Sequence, residues 1–123
     1  MIIGIGTDLI EIERVKKALI SVGFKKKYYT SQELMMAGEH MIKLVDNFAV
    51  KEAVSKVLGT GFREISPIEI EVLRDNNGKP YVNLYGKALE LSTTLGINKF
   101  HVTISNTKDF TTAFAIGEGI VLQ

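Results

Sequence analysis

A chain of 123 residues with a formal net charge of +1 and a 46% hydrophobic share is long enough for one compact domain with a packed core, and too short to divide comfortably in two. It contains no cysteine, which excludes disulfide staples, thiolate zinc sites and cysteine nucleophiles and makes an intracellular, cytoplasmic location the economical expectation. The near-neutral charge argues against a general nucleic-acid binder, and no apolar run approaches the roughly 18 residues that cross a bilayer.

The apolar start Met1-Ile2-Ile3-Gly4-Ile5 has no basic leader and meets Asp8 and Glu11 early, so no export signal is expected. Residues 2 to 8 alternate, with Ile3, Ile5 and Thr7 on one side and Gly4, Gly6 and Asp8 on the other, which predicts a strand whose second face is almost bare until Asp8. Ile12, Val15, Leu19 and Val22 then recur at helical steps and predict a helix ending near Gly23. Thr30 and Glu33 form a capping-box pattern ahead of a second, short helix through Leu34 and Met35. From Ile42 to Leu58 the chain is rich in Ala, Lys, Leu and Val without a breaker and stops at Gly59-Thr60-Gly61, which predicts the longest helix. Ile68, Ile70 and Val72 alternate with Glu69 and Glu71, and Asn76-Asn77-Gly78 supplies the turn into residues 80–84, a hairpin pattern. A third helix is expected from Gly86 to Leu95, then strands over about 99–105 and 111–118. Helices early and strands late, partly intermixed, predict a single α+β domain over 1–123, an antiparallel or mixed sheet packed against one long and several short helices, with no repeat or linker.

Three places can carry chemistry. Gly4-Ile5-Gly6-Thr7-Asp8 superficially matches a dinucleotide-binding turn, but the third glycine of that fingerprint falls on Leu9. What remains is a bare strand face leading to a carboxylate, where a ligand or another chain can approach the backbone; spacing alone favours the plainer reading, in which Asp8 caps the next helix and Glu11 completes the box. Glu52 and Lys56 stand four residues apart on one helix face. They form either an exposed pair worth about 0.3–0.5 kcal/mol or, because Phe48 and Ala49 precede Glu52 on that face, a half-buried carboxylate in want of a partner. Arg14, Lys16, Lys17, Lys25, Lys26 and Lys27 follow one another with no acidic residue between Arg14 and Lys27, which reads as a solvated helix face or as a docking surface for an acidic partner.

Four ordered blocks carry a resemblance that spans nearly the whole chain: Gly4-Ile5-Gly6-Thr7-Asp8-Leu9-Ile10-Glu11-Ile12, residues 48–61 (Phe-Ala-Val-Lys-Glu-Ala-Val-Ser-Lys-Val-Leu-Gly-Thr-Gly), Asn77-Gly78-Lys79-Pro80, and His101-Val102-Thr103-Ile104-Ser105. Together they resemble the small bacterial holo-acyl-carrier-protein synthases, trimeric 4′-phosphopantetheinyl transferases of fatty-acid synthesis. The resemblance implies transfer of the phosphopantetheine arm of coenzyme A to a serine of an apo acyl carrier protein, with release of 3′,5′-ADP. It implies Asp8 and Glu52 as ligands of a magnesium ion that also takes diphosphate and water oxygens, Lys56 as the cation at the diphosphate, and Glu52 or a water as the base for the serine proton. Gly59 and Gly61 would bring backbone close to the cofactor or merely stop the helix; Pro80 and the strand end from Ser105 through Asn106 to Thr107 correspond to the nucleotide part of the site. Arg14 matches the carrier-docking arginine, and the implied assembly is a homotrimer with active sites between subunits.

Two positions depart from the family wording: Asn47 stands where an arginine is usual and Asn106 where a histidine is usual. Both changes remove possible cations near the nucleotide end and predict weaker or differently organised coenzyme A binding, with Lys51 or Lys108 as possible compensation. The rival from another class is a non-catalytic carrier-protein-binding module of the same fold, which would bind the carrier in a salt-sensitive way without modifying it. An RNA- or anion-binding protein using the lysines fits least, with four scattered Tyr residues and no aromatic binding motif.

Overall fold

The structure is a computed structural model that describes residues 1–120. Strand β1 (Ile2–Glu11) leads into helix α1 (Ile12–Ala18), followed by α2 (Val22–Tyr28), α3 (Ser31–Ala37) and the long α4 (Met41–Leu58). A 3-10 turn (Pro67–Glu69) opens the hairpin of β2 (Ile70–Arg74) and β3 (Pro80–Leu84); α5 (Gly86–Thr94), β4 (Ile97–Asn106) and β5 (Phe110–Gly119) complete the fold. This is the expected α+β arrangement. All strand pairs are antiparallel, in a three-stranded sheet of order β1-β5-β4 and a separate β2-β3 ribbon.

β1 outruns its expected end at Asp8 by three residues and pairs through to Glu11 opposite Phe110. Asp8 therefore lies inside a strand and caps nothing, while Glu11 occupies the N-cap of α1 without a side-chain bond. The single helix expected over residues 12–23 is two. Ser21 accepts the Phe24 N–H at 3.2 Å and starts α2 at Val22, so Val22 opens a new helix and stands exposed instead of continuing the buried stripe of Ile12, Val15 and Leu19. The Thr30–Glu33 capping box forms in full, with both reciprocal bonds present at the start of α3.

α4 is the axis of the molecule. Ala49, Val50, Ala53, Val54, Val57 and Leu58 meet Val72, Ala88, Ile97, Val102, Ala113 and Ala115 in the main core beneath both sheets. Its N-terminal half, through Leu44 and Val45, packs with Ile12, Val15, Leu19, Tyr29 and Ala37 in a second core under the short helices. Apolar contact on nearly every side explains why α4 lacks the one-sided pattern of a surface helix. No helix among the described residues is long and apolar enough to cross a membrane.

Candidate active site

The bare face of β1 is covered by α4 of the same chain. A side chain at Gly6 would drive into the Ala53 carbonyl and come within 3.1 Å of Lys56 Cβ, and one at Gly4 would sit 2.9 Å from the Val57 carbonyl oxygen. The missing side chains let the helix lie directly on the strand. That contact carries the second half of α4 past the end of the glycine face, where the next inward-facing residue is Asp8.

Asp8 is thereby brought to Glu52 and Lys56. Lys56 donates from Nζ to the Thr7 carbonyl at 2.8 Å and approaches Asp8 Oδ1 at 3.4 Å. Among the described residues Glu52 forms no ion pair, so the Glu52–Lys56 pair that their spacing allowed is replaced by a bond from lysine to strand. Among the described residues the buried Asp8 Oδ2 has no hydrogen-bond partner, although leaving such an atom unpaired costs about 1–3 kcal/mol. Burial first, and then the facing Asp8 carboxylate, push Glu52 above the usual carboxylate range, with Lys56 pulling the other way.

Both carboxylates line one cavity of about 500 Å³, together with Arg14, Val15, Phe24, Tyr28 and Phe48. The Phe24 and Tyr28 rings stack at 4.1 Å, and both face Phe48, at 6.3 and 5.8 Å. This aromatic wall was not foreseen. Phe24 and Tyr28 share a face only because α2 exists, and Phe48 comes from a different helix, so no local spacing announces the trio. Of the basic run, Arg14 alone lines this cavity; Lys16, Lys17, Lys25, Lys26 and Lys27 do not.

The other expected site residues lie elsewhere on the chain. Gly59 and Gly61 take positive φ values of 84° and 57° and close the last turn of α4, their N–H groups bonding to Ser55 and Lys56 carbonyls, so the helix-stop role accounts for them as they stand. Pro80 lines a separate cavity of about 380 Å³ with Lys79, Tyr81, Lys99, Phe100 and His101. Asn106 donates from Nδ2 to Asp46 Oδ1 and Thr111 Oγ1, both at 2.7 Å, and the Thr107 hydroxyl accepts N–H bonds from Asp109 and Phe110 in the adjoining turn. Asn47 is fully buried, with Nδ2 on Glu33 Oε2 and the Val72 carbonyl, both at 2.9 Å. The expectation that it weakens a nucleotide site is therefore corrected: this position faces the interior. Lys51 cannot compensate either, because it is buried on Glu33 at 2.8 Å.

A pair of half-buried carboxylates of like charge, one with an unpaired oxygen, is chemically suited to a hard divalent cation that completes its shell with phosphate and water. Among the described residues no cluster of three His, Cys, Asp or Glu side chains could hold a metal by itself, so a cation here would depend on non-protein oxygens.

A family model described as the 4′-phosphopantetheinyl transferase superfamily matches residues 4–115, and the class defined by fold and site is that of a phosphopantetheinyl transferase. A holo-acyl-carrier-protein synthase of Lachnoclostridium phytofermentans is 56% identical over 118 residues, covering 96% of this chain and 97% of its own length. Among solved structures, a Plasmodium yoelii acyl carrier protein synthase with ADP bound matches with a TM-score of 0.86 at 34% identity, over 98% of each chain. A holo-acyl-carrier-protein synthase of Bacillus anthracis in complex with coenzyme A (3′,5′-ADP) matches with a TM-score of 0.78 at 34% identity, over 98% of this chain and 99% of that one. The chain belongs to this family of enzymes, the holo-acyl-carrier-protein synthases.

Proposed function

We propose that the chain, as one catalytic domain in the cytoplasm, transfers the 4′-phosphopantetheine of coenzyme A to a serine of an apo acyl carrier protein in a magnesium-dependent reaction. The observation that carries the reading is the convergence of Asp8 from β1 and Glu52 from α4 on one cavity, with Asp8 Oδ2 buried and unpaired. Asp8 and Glu52 hold the magnesium, which supplies positive charge to the diphosphate when bound. Lys56, its ammonium fixed by the Thr7 carbonyl, stays beside the carboxylates and stabilises negative charge as the phosphoanhydride breaks. The serine oxygen forms a bond to the β-phosphorus, the bond from that phosphorus to the 3′,5′-ADP oxygen breaks, and Glu52 is the side chain of this chain best placed to take the serine proton.

Arg14 lines the same cavity, where a fixed cation suits an acidic carrier surface. Gly59, Gly61, Pro80, Asn106 and Thr107 do not share that cavity. Their proposed contacts with the nucleotide therefore require a neighbouring subunit or the surface beyond Lys56. Support for an assembly comes from the outer face of the three-stranded sheet, where Ile5, Leu9, Phe110 and Phe114 stand 62%, 66%, 42% and 39% exposed. Such a patch on a small protein calls for a partner, and we assign it to the homotrimer contact.

The test is to mix the protein with coenzyme A, magnesium and apo acyl carrier protein and read the carrier by intact mass. One added phosphopantetheine per carrier is expected, with none for Glu52→Ala. An unmodified carrier that still binds would turn the reading to the non-catalytic module, and full activity of Glu52→Ala would move the catalytic carboxylate elsewhere.

A further inference from the structure

α4 carries two polar stripes. Glu52 lines the cavity and Lys56, one turn further along the same side, reaches Thr7 and Asp8, while Asn47, Lys51 and Ser55, also at four-residue steps, are buried on another side of the helix. Lys51 precedes Glu52 directly, so the two side chains leave the helix about 100° apart. The Lys51 ammonium is enclosed. It donates to Glu33 Oε1 at 2.8 Å, to the Pro67 carbonyl at 3.0 Å and to the Ile70 carbonyl, and the Tyr29 ring lies 5.3 Å away. Glu33 Oε1 also accepts the Thr30 N–H at 3.1 Å, and Oε2 takes Asn47 Nδ2 at 2.9 Å. One buried ion pair thus ties α4 to α3, to the 3-10 turn and to β2. Neither Lys51 nor Glu33 lines the cavity of Asp8 and Glu52.

A buried ion pair is weak as a source of stability, because desolvation offsets most of the attraction; its best-attested use is to select one register among several that apolar packing allows. The Ala53 and Val57 carbonyls rest on Gly6 and Gly4 of β1 and set how closely α4 approaches the strand. Around the pair the apolar buried surface of α4 includes Val45, Ala49, Val50, Ala53, Val54 and Val57, small side chains of similar volume, so the directional bonds of Lys51 are the part of this surface most specific in angle. A rotation of about 20° moves a side-chain tip at a radius of about 5 Å by about 2 Å, enough to part Glu52 from Asp8.

We propose that the Lys51–Glu33 pair is a positioning device, which fixes the rotation of α4 so that Glu52 and Lys56 face Asp8. This rests on the assignment of Glu52 and Lys56 to the active site. The pair touches no substrate atom; it acts through the two residues that follow Lys51 and Ser55 in sequence.

The test compares the parent protein with Glu33→Gln/Lys51→Met, which removes both charges at nearly constant volume, and with Glu33→Asp, which keeps the charge but shortens its reach. Each is characterised by thermal midpoint, by Mn2+ affinity from paramagnetic resonance in the presence of coenzyme A, and by kcat. The expected result for the double variant is a midpoint close to the parent, Mn2+ binding weakened about tenfold and kcat lowered about tenfold or more. A folded double variant with unchanged Mn2+ affinity and kcat overturns the proposal. If the double variant does not fold, Glu33→Asp decides by the same two readouts, and failure of both to fold also overturns it, by making the pair a requirement of the fold and not of the site. Glu52→Ala is run alongside. Should it retain Mn2+ binding and turnover, the active-site reading itself fails; should it lose both while the double variant keeps both, only the positioning role fails.

Discussion

The two oxygens of Asp8 have unequal fates: Oδ1 meets Lys56 at 3.4 Å and Oδ2 meets nothing. An arrangement that leaves one buried oxygen unpaired opposite Glu52 costs stability, which is what the proposed cation site requires. We predict that Asp8→Asn, by removing the like charge, unfolds in the presence of chelator at the same temperature as the parent or higher. The same variant should lose more magnesium affinity than the roughly 10–100-fold typical when a partner of a metal ligand is changed, which a magnesium titration of turnover measures. A different carboxylate contributes to the dependence of stability on acid. Burial alone would raise Glu71, but bonds from Thr30, Asn83 and Tyr85 outweigh it and hold the group below the usual carboxylate range. A depressed carboxyl contributes stability above its unfolded value of about 4.3 and loses it as pH falls through the folded value. Thermal midpoints taken from pH 7 down to pH 3 should therefore fall more steeply for the parent than for Glu71→Gln. Asp8, Glu52 and Lys56 were legible as residues, because spacing and motif single them out. The burial of Asn47 and Lys51 was not, because their partner Glu33 lies 14 and 18 residues away and no periodicity links the two segments.

The elements show why β1 was read short. Leu9 and Ile10 are both apolar, one exposed on the outer sheet face and one packed on the core, so alternation fails just where the strand continues. The helix break at Ser21 was hidden in the same way, since Val22 fits the helical step while standing 65% exposed. By contrast the capping box of α3, the glycine stop of α4 and the hairpin turn are local chemistry, and the local sequence suffices to read them. The contact between β1 and α4 depends on Gly6. We predict that Gly6→Ala costs about 1–3 kcal/mol in a denaturant titration. Its turnover should fall by about 100-fold, because the strand and helix that carry the carboxylates are forced apart by a fraction of a side-chain diameter. Destabilisation with normal turnover of the folded fraction would show that the close contact serves packing alone.

At the scale of the whole molecule, the chain brings Asp8, Glu52 and Arg14 to one cavity, with Lys56 3.4 Å from Asp8, while Pro80, Asn106 and Thr107 lie apart from them. The exposed apolar sheet face offers the means of bringing a second copy to the site. Phe114→Asp should give a monomer in sedimentation equilibrium, with turnover lost at low concentration and partly regained as the protein is concentrated. Normal specific activity of a monomer would dissociate site from assembly. Nothing in the sequence marks that face, because an outward apolar residue looks like an inward one until the sheet is built. The most direct measurement is anomalous diffraction from crystals grown with Mn2+ and coenzyme A. We predict one manganese peak bonded to both Asp8 and Glu52, with the diphosphate on its far side. A peak that touches only one of these carboxylates, or a diphosphate bound with no ion between it and them, would contradict the shared-cation site.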